Sequence, residues 1–207
     1  MIPQNRKNSK FYRWELALLL GVALAALGGT YLSGQQSALA DSVVRLHVIG
    51  ASNSDFDQAQ KLVARDAVLA AAEPYLEGTT SQGEARTALE GHLEEIAQAG
   101  AGALGYTQNV TARLEDGAWF PTKEYTDFAL PAGRYTALRV EIGPAEGRNW
   151  WCVVFPPLCM GAVSETATEA VGLSEDQVGL ITGADGGYQL KFRAVELWEQ
   201  LTGGLSR

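Results

Sequence analysis

Asn149-Trp150-Trp151-Cys152-Val153-Val154-Phe155-Pro156-Pro157-Leu158-Cys159 gathers two of the chain's five tryptophans, both of its cysteines and a proline pair into eleven residues. The aromatic and β-branched run from Trp150 to Phe155 suits the pleated, buried surface of a strand. Two successive prolines donate no ladder hydrogen bond, so the strand is expected to stop at Phe155. Trp150 and Trp151 alternate faces, which sends one toward the core and leaves the other more exposed as a natural contact anchor. Six residues separate Cys152 from Cys159. An extended path would hold their Cα atoms beyond the ~7 Å that a disulfide tolerates, whereas a turn at Pro156-Pro157 brings them together. A bridge and two buried thiols both stay open.

Working back from this strand, Gly143-Pro144-Ala145-Glu146-Gly147 is a turn, and Tyr135 to Ile142 carries the cleanest alternation in the chain. Thr136, Leu138, Val140 and Ile142 share one face; Ala137, Arg139 and Glu141 share the other. Val110, Ala112 and Leu114 also alternate. Glu115-Asp116-Gly117 then reads as a hairpin turn, with Trp119 to Ala129 returning antiparallel and Pro121 confined to an edge or bulge. Near the front, Val44, Leu46 and Val48 alternate with Arg45 and His47, predicting a strand from about Val43 to Ile49.

Two helical patterns separate this first strand from the others. Turn and cap residues from Gly50 to Asp55 lead into a helix from Asp57 to about Ala72. Leu62, Asp66, Leu69 and Leu76 lie near one stripe, widened by Ala59, Val63, Ala67 and Ala70, and Pro74 disrupts the end. A second helix is predicted from about Gln82 to Ala103, with Ala85, Leu89, Leu93 or His92, Ile96 and Ala99 as its stripe. Helices ahead of a run of strands imply an α+β fold, two helices packed on a mainly antiparallel sheet. One domain core is expected over residues 41–160. Residues 161–187 are acidic and Gly-rich and read as a flexible connection. Residues 188–207 regain apolar content, with Phe192, Val195 and Trp198 at helical spacing, and are expected to dock back on the core.

The first 40 residues have a different character. Arg6, Lys7, Lys10 and Arg13 precede the apolar run from Leu16 to Leu27, and Ser37-Ala38-Leu39-Ala40 supplies the small-x-small pattern of a signal-peptidase site. Residues 1–40 therefore read as a secretory signal, with Asp41 as the expected first residue of the mature chain. The alternative is an uncleaved anchor, since the apolar stretch extended to Leu32 approaches the ~20 residues that span a bilayer. Either way the rest of the chain is expected outside the cytoplasm. Without residues 1–40, the 16 basic and 24 acidic groups fall to 12 and 23, a net charge of −11. That charge excludes nucleic acid and anionic lipid as natural partners of the domain.

Cys152 and Cys159 with His47 and His92 contain the components of a Cys/His nucleophile pair, with Asp66 or Asn149 as a third group. A Cys-dependent envelope hydrolase or peptidase is the reading this supports. Against it, Cys152 lies among bulky apolar neighbours with no local catalytic signature. Cys-x6-Cys is wider than zinc-ligand spacing and the histidines are not paired, so no metal or cofactor is expected. Arg45, His47, Ser52, Asp57 and Asn149 instead suggest a convergent polar edge at the end of the sheet, recognition surface or structural cluster. Arg65 and Asp66 point about 100° apart on their helix, so Asp66 is expected to pair elsewhere, with Arg45, Arg139 or Lys123.

Arg45-Leu46-His47-Val48-Ile49, Ser52, Asp57-Gln58, Lys61 and Val63-Ala64-Arg65-Asp66 resemble the N-terminal signature of the stage II sporulation protein R family. Phe120-Pro121-Thr122-Lys123-x-Tyr125, Leu130-Pro131-Ala132-Gly133-x-Tyr135-x-Ala137-Leu138-Arg139 and Asn149 through Cys159 are similar to its second half. One departure is the turn after Ile49, usually Ala-Asn-Ser-Asp-Ser and here Gly50-Ala51-Ser52-Asn53-Ser54. The resemblance implies a signalling protein of endospore formation, exported from the forespore into the intermembrane space, that acts by binding. Its implied partner is the membrane-embedded aspartic protease of the mother cell, which processes the sigma-E precursor. On this reading the protein is not an enzyme, touches membrane only through its N-terminal segment, and presents Arg45, His47, Ser52, Asp57, Asp66, Arg139, Asn149, Trp150 and Trp151 as candidate contact or structural residues. Its oligomeric state is left open.

Overall fold

The computed structural model describes residues 8–124 and 129–156. The expected connection 161–187, the docking segment 188–207 and Cys159 lie outside the described residues. Helix α1 (Asn8–Ala40) leads into strand β1 (Val44–Ile49), which is followed by helices α2 (Asp55–Leu76), α3 (Gln82–Glu90) and α4 (Leu93–Ala103). Strands β2 (Val110–Phe120), β3 (Lys123–Glu124), β4 (Ala129–Leu130), β5 (Gly133–Ile142) and β6 (Asn149–Phe155) complete the order. The main sheet runs β2-β5-β1-β6, and β3 pairs with β4 in a separate two-stranded ribbon. Only β1 and β5 are parallel; β2–β5 and β1–β6 are antiparallel. The fold is thus α+β with a largely antiparallel mixed sheet, and α2 to α4 lie in the long crossover that a parallel pair requires.

Each sheet face has its own apolar cluster. Val44, Leu46, Val48, Leu138, Val140, Ile142 and Val110 face α2, α3 and α4, where Ala64, Val68, Ala72, Leu89 and Ile96 meet them. On the second face Val43, Phe120, Leu130, Tyr135, Ala137 and Val153 cluster with Leu39 and Ala40 from the end of α1. β1 is consequently buried along its whole length. The strand β6 ends at Phe155, directly ahead of the proline pair as expected.

Three local expectations are corrected. Glu115-Asp116-Gly117 does not turn the chain. Instead β2 runs on to Phe120, and a register shift between Glu115 and Ala118 absorbs the extra residues while the strand stays paired with β5. Gly117 supplies the positive φ of 67° that such a bulge needs. The second predicted helix is two, because the backbone leaves helical geometry at His92, just past the Gly91 cap. The His92 ring stacks on Tyr75 with centroids 3.7 Å apart, while its Nδ1 lies 2.8 Å from the Ala88 carbonyl.

The third correction concerns the orientation of α2. Its buried face is Lys61, Ala64, Val68, Leu69, Ala72 and Leu76, whereas Leu62 and Val63 are exposed and Asp66, Ala59 and Ala70 point outward. Alanine recurs on every side of this helix, so apolar spacing alone could not choose between neighbouring stripes. The observed rotation buries the stem of Lys61 and brings its Nζ to Gln58 Oε1 at 2.7 Å and the Arg148 carbonyl at 2.9 Å. Pro74 falls in the last turn, so the helix continues to Leu76. Among the described residues no helix is long and apolar enough to cross a membrane.

Candidate functional site

Strand register assembles a row of chemically active side chains across the second face. Arg113 of β2 stands opposite Arg139 of β5, Arg139 is in register with His47 of β1, and His47 is opposite Trp151 of β6. Alternation puts all four on the face away from α2, α3 and α4. Glu115 and Glu141 flank the row on β2 and β5. Arg139 Nη1 lies 3.2 Å from Glu115 Oε2 and its Nε donates to Glu141 Oε1 at 2.8 Å. Arg113 Nη1 donates to Glu141 Oε2 at 2.8 Å, and Arg113 Nη2 sits 3.6 Å from Glu115 Oε2. Each arginine therefore meets both carboxylates in a closed four-membered ring of charge. The hydrogen bond from Arg113 holds the Glu141 carboxyl below the usual glutamate range, with Arg139 adding to it against the opposing effect of burial.

His47 sits beside this ring and is 9% exposed. Its imidazole meets the Phe120 ring edge-on at 5.9 Å and the Trp151 ring at 6.1 Å. Burial pushes its pKa down, the hydrogen bond with Asn149 opposes this, and the positive charge of Arg139 lowers it further. The ring is therefore kept neutral at physiological pH. Arg45, next along β1, is fully buried; its guanidinium carbon lies 4.2 Å from the Phe120 centroid and 5.0 Å from that of Tyr135. Nε of Arg45 donates to the Cys152 carbonyl at 3.3 Å. Stacked between aromatic faces, it is part of the interior and is not a surface contact.

Ser52 and Asp57 belong to a different constellation, at the turn between β1 and α2. Ser54 caps α2 by accepting from the Asp57 amide at 3.1 Å, and the Asp57 carboxylate accepts from Ser52, Ser54 and Gln108. Those hydrogen bonds, that from Ser52 foremost, hold the Asp57 carboxyl below its usual range. Gln58 Nε2 reaches the Ser52 carbonyl at 2.7 Å, and Gly147 N donates to the Gly50 carbonyl at 2.8 Å. This network ties the β1–α2 turn to the β5–β6 turn and to the approach of β2.

Asp66 pairs with its neighbour: Arg65 Nη2 lies 2.6 Å away. The expectation that it joins Arg45, Arg139 or Lys123 is corrected, since Asp66 is on the outer side of α2 and the flexible arginine curls back to it despite the angular separation at Cα. Arg65 also stacks over Trp150 at 4.5 Å. Trp150, 36% exposed, thus marks the helix side of β6, while the half-buried Trp151 marks the second face. Of the nominated residues, the structure gathers Arg45, His47, Arg139, Asn149 and Trp151; it separates Ser52, Asp57, Asp66 and Trp150 from them. Arg113, Glu115 and Glu141 were missed. Their i, i+2 spacing places each Arg–Glu pair on one strand face, but the ring exists only because β2 pairs with β5.

Cys152 and His47 do not form a Cys/His pair. Cys152 packs on the helix side of the sheet, with its neighbours Leu46 and Val154, while His47 points to the opposite face. Cys152 is disulfide-bonded, which removes the thiolate a nucleophile requires. His92 is engaged with Tyr75 among the helices. Among the described residues no three His, Cys, Asp or Glu side chains converge as a metal site would.

Comparison with known proteins supplies what this geometry does not. The family model described as stage II sporulation protein R matches residues 40–165. A curated relative, "Stage II sporulation protein R" of Bacillus subtilis (strain 168), is 35% identical over 167 residues, covering 77% of this chain and 73% of its own. No solved structure matches the chain.

Proposed function

We propose, from the premise that this chain belongs to the stage II sporulation protein R family, that it is a secreted intercellular signal of endospore formation. In this reading it crosses the forespore membrane into the intermembrane space and activates, by binding, the mother-cell membrane aspartic protease that processes the sigma-E precursor. The observation that carries a binding role is the preformed ring of Arg113, Glu141, Arg139 and Glu115. Side chains already held in one geometry lose little further freedom when a partner docks, and paired charges of both signs favour orientation over bulk attraction. Asn149 and Trp151 of β6 lie on the same face across β1 from the ring, with His47 between, and extend the surface toward the β6 edge.

Reconstitution tests the reading directly. In a host that lacks sporulation factors, the protease and the sigma-E precursor are co-expressed with or without the full chain, and precursor cleavage is followed by immunoblot. Cleavage should require the chain. Arg139→Glu, which places a third carboxylate in the ring, should reduce cleavage at least tenfold at equal secreted level and unchanged circular dichroism. Cleavage that proceeds equally without the chain, or peptide hydrolysis by the purified domain alone, would remove the activator role.

A further inference from the structure

The last turn of α1 is built into the domain. Leu39 is fully buried, packed in the same cluster as Val43, Phe120, Leu130, Tyr135, Ala137 and Val153, and Ala40 is 9% exposed. Gln36, 8% exposed, donates from its side-chain amide to the Ala132 carbonyl. A Cβ added at Gly133 would lie 3.0 Å from that same amide, so β5 and α1 approach closely here. From the other side, Gln82 Nε2 at the start of α3 donates to the Ala40 carbonyl at 3.1 Å and the Val43 carbonyl at 3.0 Å. Ser42 Oγ donates to the Leu39 carbonyl at 2.7 Å, and the Asp41 amide closes a helical turn on the Ser37 carbonyl at 2.9 Å.

We infer that the Ala40–Asp41 bond stays intact in the folded protein and that Gln36 to Ala40 form a permanent part of the domain, so that α1 travels with it. A peptidase binds its substrate as an extended strand, with the scissile carbonyl free. Here that carbonyl is capped by Gln82, the Asp41 amide is in a helical turn, and Leu39 fills the core beneath. Exposing the bond requires this turn to unwind and Leu39 to leave its site, which is an opening of the core and not the fraying of a terminus. Removal of residues 1–40 would take Leu39 and Ala40 out of the second-face cluster. Ala40, 9% exposed, then has a structural meaning: its small side chain lets the helix end lie against the second face.

The full chain, produced with a C-terminal tag in a bacterium that exports it, decides the matter by intact mass and N-terminal peptide mapping of the folded material. A first residue at or before Gln36 is expected. A folded product beginning after Gln36, at Asp41 in particular, overturns the inference. Thermal melting supplies the second readout. Leu39→Ala should lower Tm by roughly 5–15 °C, and the milder Gln36→Ala by about 2–4 °C, whereas Leu20→Ala on the exposed part of α1 should leave it within about 1 °C. If Leu39→Ala and Gln36→Ala both melt like the parent chain, the turn is not part of the domain and the inference fails.

Discussion

Arg113 and Arg139 stand directly opposite each other on β2 and β5, a placement that repels two like charges, and they are held there because both share Glu115 and Glu141. Opposed like charges in a sheet destabilise it, while opposite-charge neighbours contribute a few tenths to about 1 kcal/mol each. The two carboxylates therefore do more than add ion pairs; they make the arginine pair tolerable. Removing one leaves the repulsion uncompensated.

Glu141→Gln should lower stability by about 1 kcal/mol at low salt and by less at about 0.5 M, since the ring is partly solvated and screened. The pH response has a defined sign. Glu141 titrates below the ordinary value of 4.5 in the folded chain, so its contribution is present above that value and is lost as pH falls through the lower folded-state value. Denaturant melts between pH 3 and 7 should show a shallower acid limb in the variant. An unchanged acid limb would show that the ring does not titrate with folding.

His47 follows the same direction for a different reason. Burial places its folded-state pKa below the ordinary 6.5, so the unfolded chain takes up the proton first as pH drops. Stability should be full above about pH 6.5 and decline below it until the folded-state value is passed. His47→Gln should flatten this part of the profile and preserve sigma-E precursor processing within a few-fold, because the proposed role uses no imidazole proton transfer. NMR titration of the ring checks the first claim and the co-expression assay the second.

Gly147→Ala should be among the most damaging single-methyl additions in the chain. A Cβ there would lie 2.3 Å from the Ser52 carbonyl oxygen and 2.7 Å from that of Gly50, both backbone atoms of the β1–α2 turn. Neither can rotate aside. A loss of about 3 kcal/mol or more is expected, seen as a lowered denaturation midpoint with the same slope. Gly83→Ala, with nothing near its Cβ inside α3, should instead be neutral or slightly stabilising.

Cys152 is disulfide-bonded, and the chain has one other cysteine, Cys159. A bridge between them closes a short loop and should contribute about 2–3 kcal/mol. Thiol labelling in denaturant without reductant should find no reactive thiol in the monomer, and reductant should lower Tm by roughly 5–10 °C. Two labelled thiols would refute the bridge; disulfide-linked dimers on non-reducing gels would place it between chains.

Several elements were legible before any tertiary information. The end of β6 at Phe155 follows from prolines that cannot donate to a ladder, and the two faces of β5 follow from the strict alternation of Thr136, Leu138, Val140 and Ile142 with Ala137, Arg139 and Glu141. The α+β class follows from helical patterns segregated ahead of a run of strands. Each of these depends on a residue and its near neighbours along the chain, where backbone stereochemistry acts directly.

What the tertiary structure alone decided is who lies beside whom. Period-two alternation told which face Arg113 and Arg139 take, but not that β2 runs past Gly117 to pair with β5, and without that pairing there is no charge ring. The alanine-rich α2 could have been rotated to bury Asp66; the anchoring of Lys61 on the Arg148 carbonyl and the fit of Ala64, Val68 and Ala72 to the sheet turned it outward. Arg45 looked like a surface cation, yet Phe120 and Tyr135 enclose it, and Leu39 joins the cluster on the second face. Local sequence sets the direction in which a side chain leaves the backbone, while burial is shared among segments distant in the chain and is settled only when they meet.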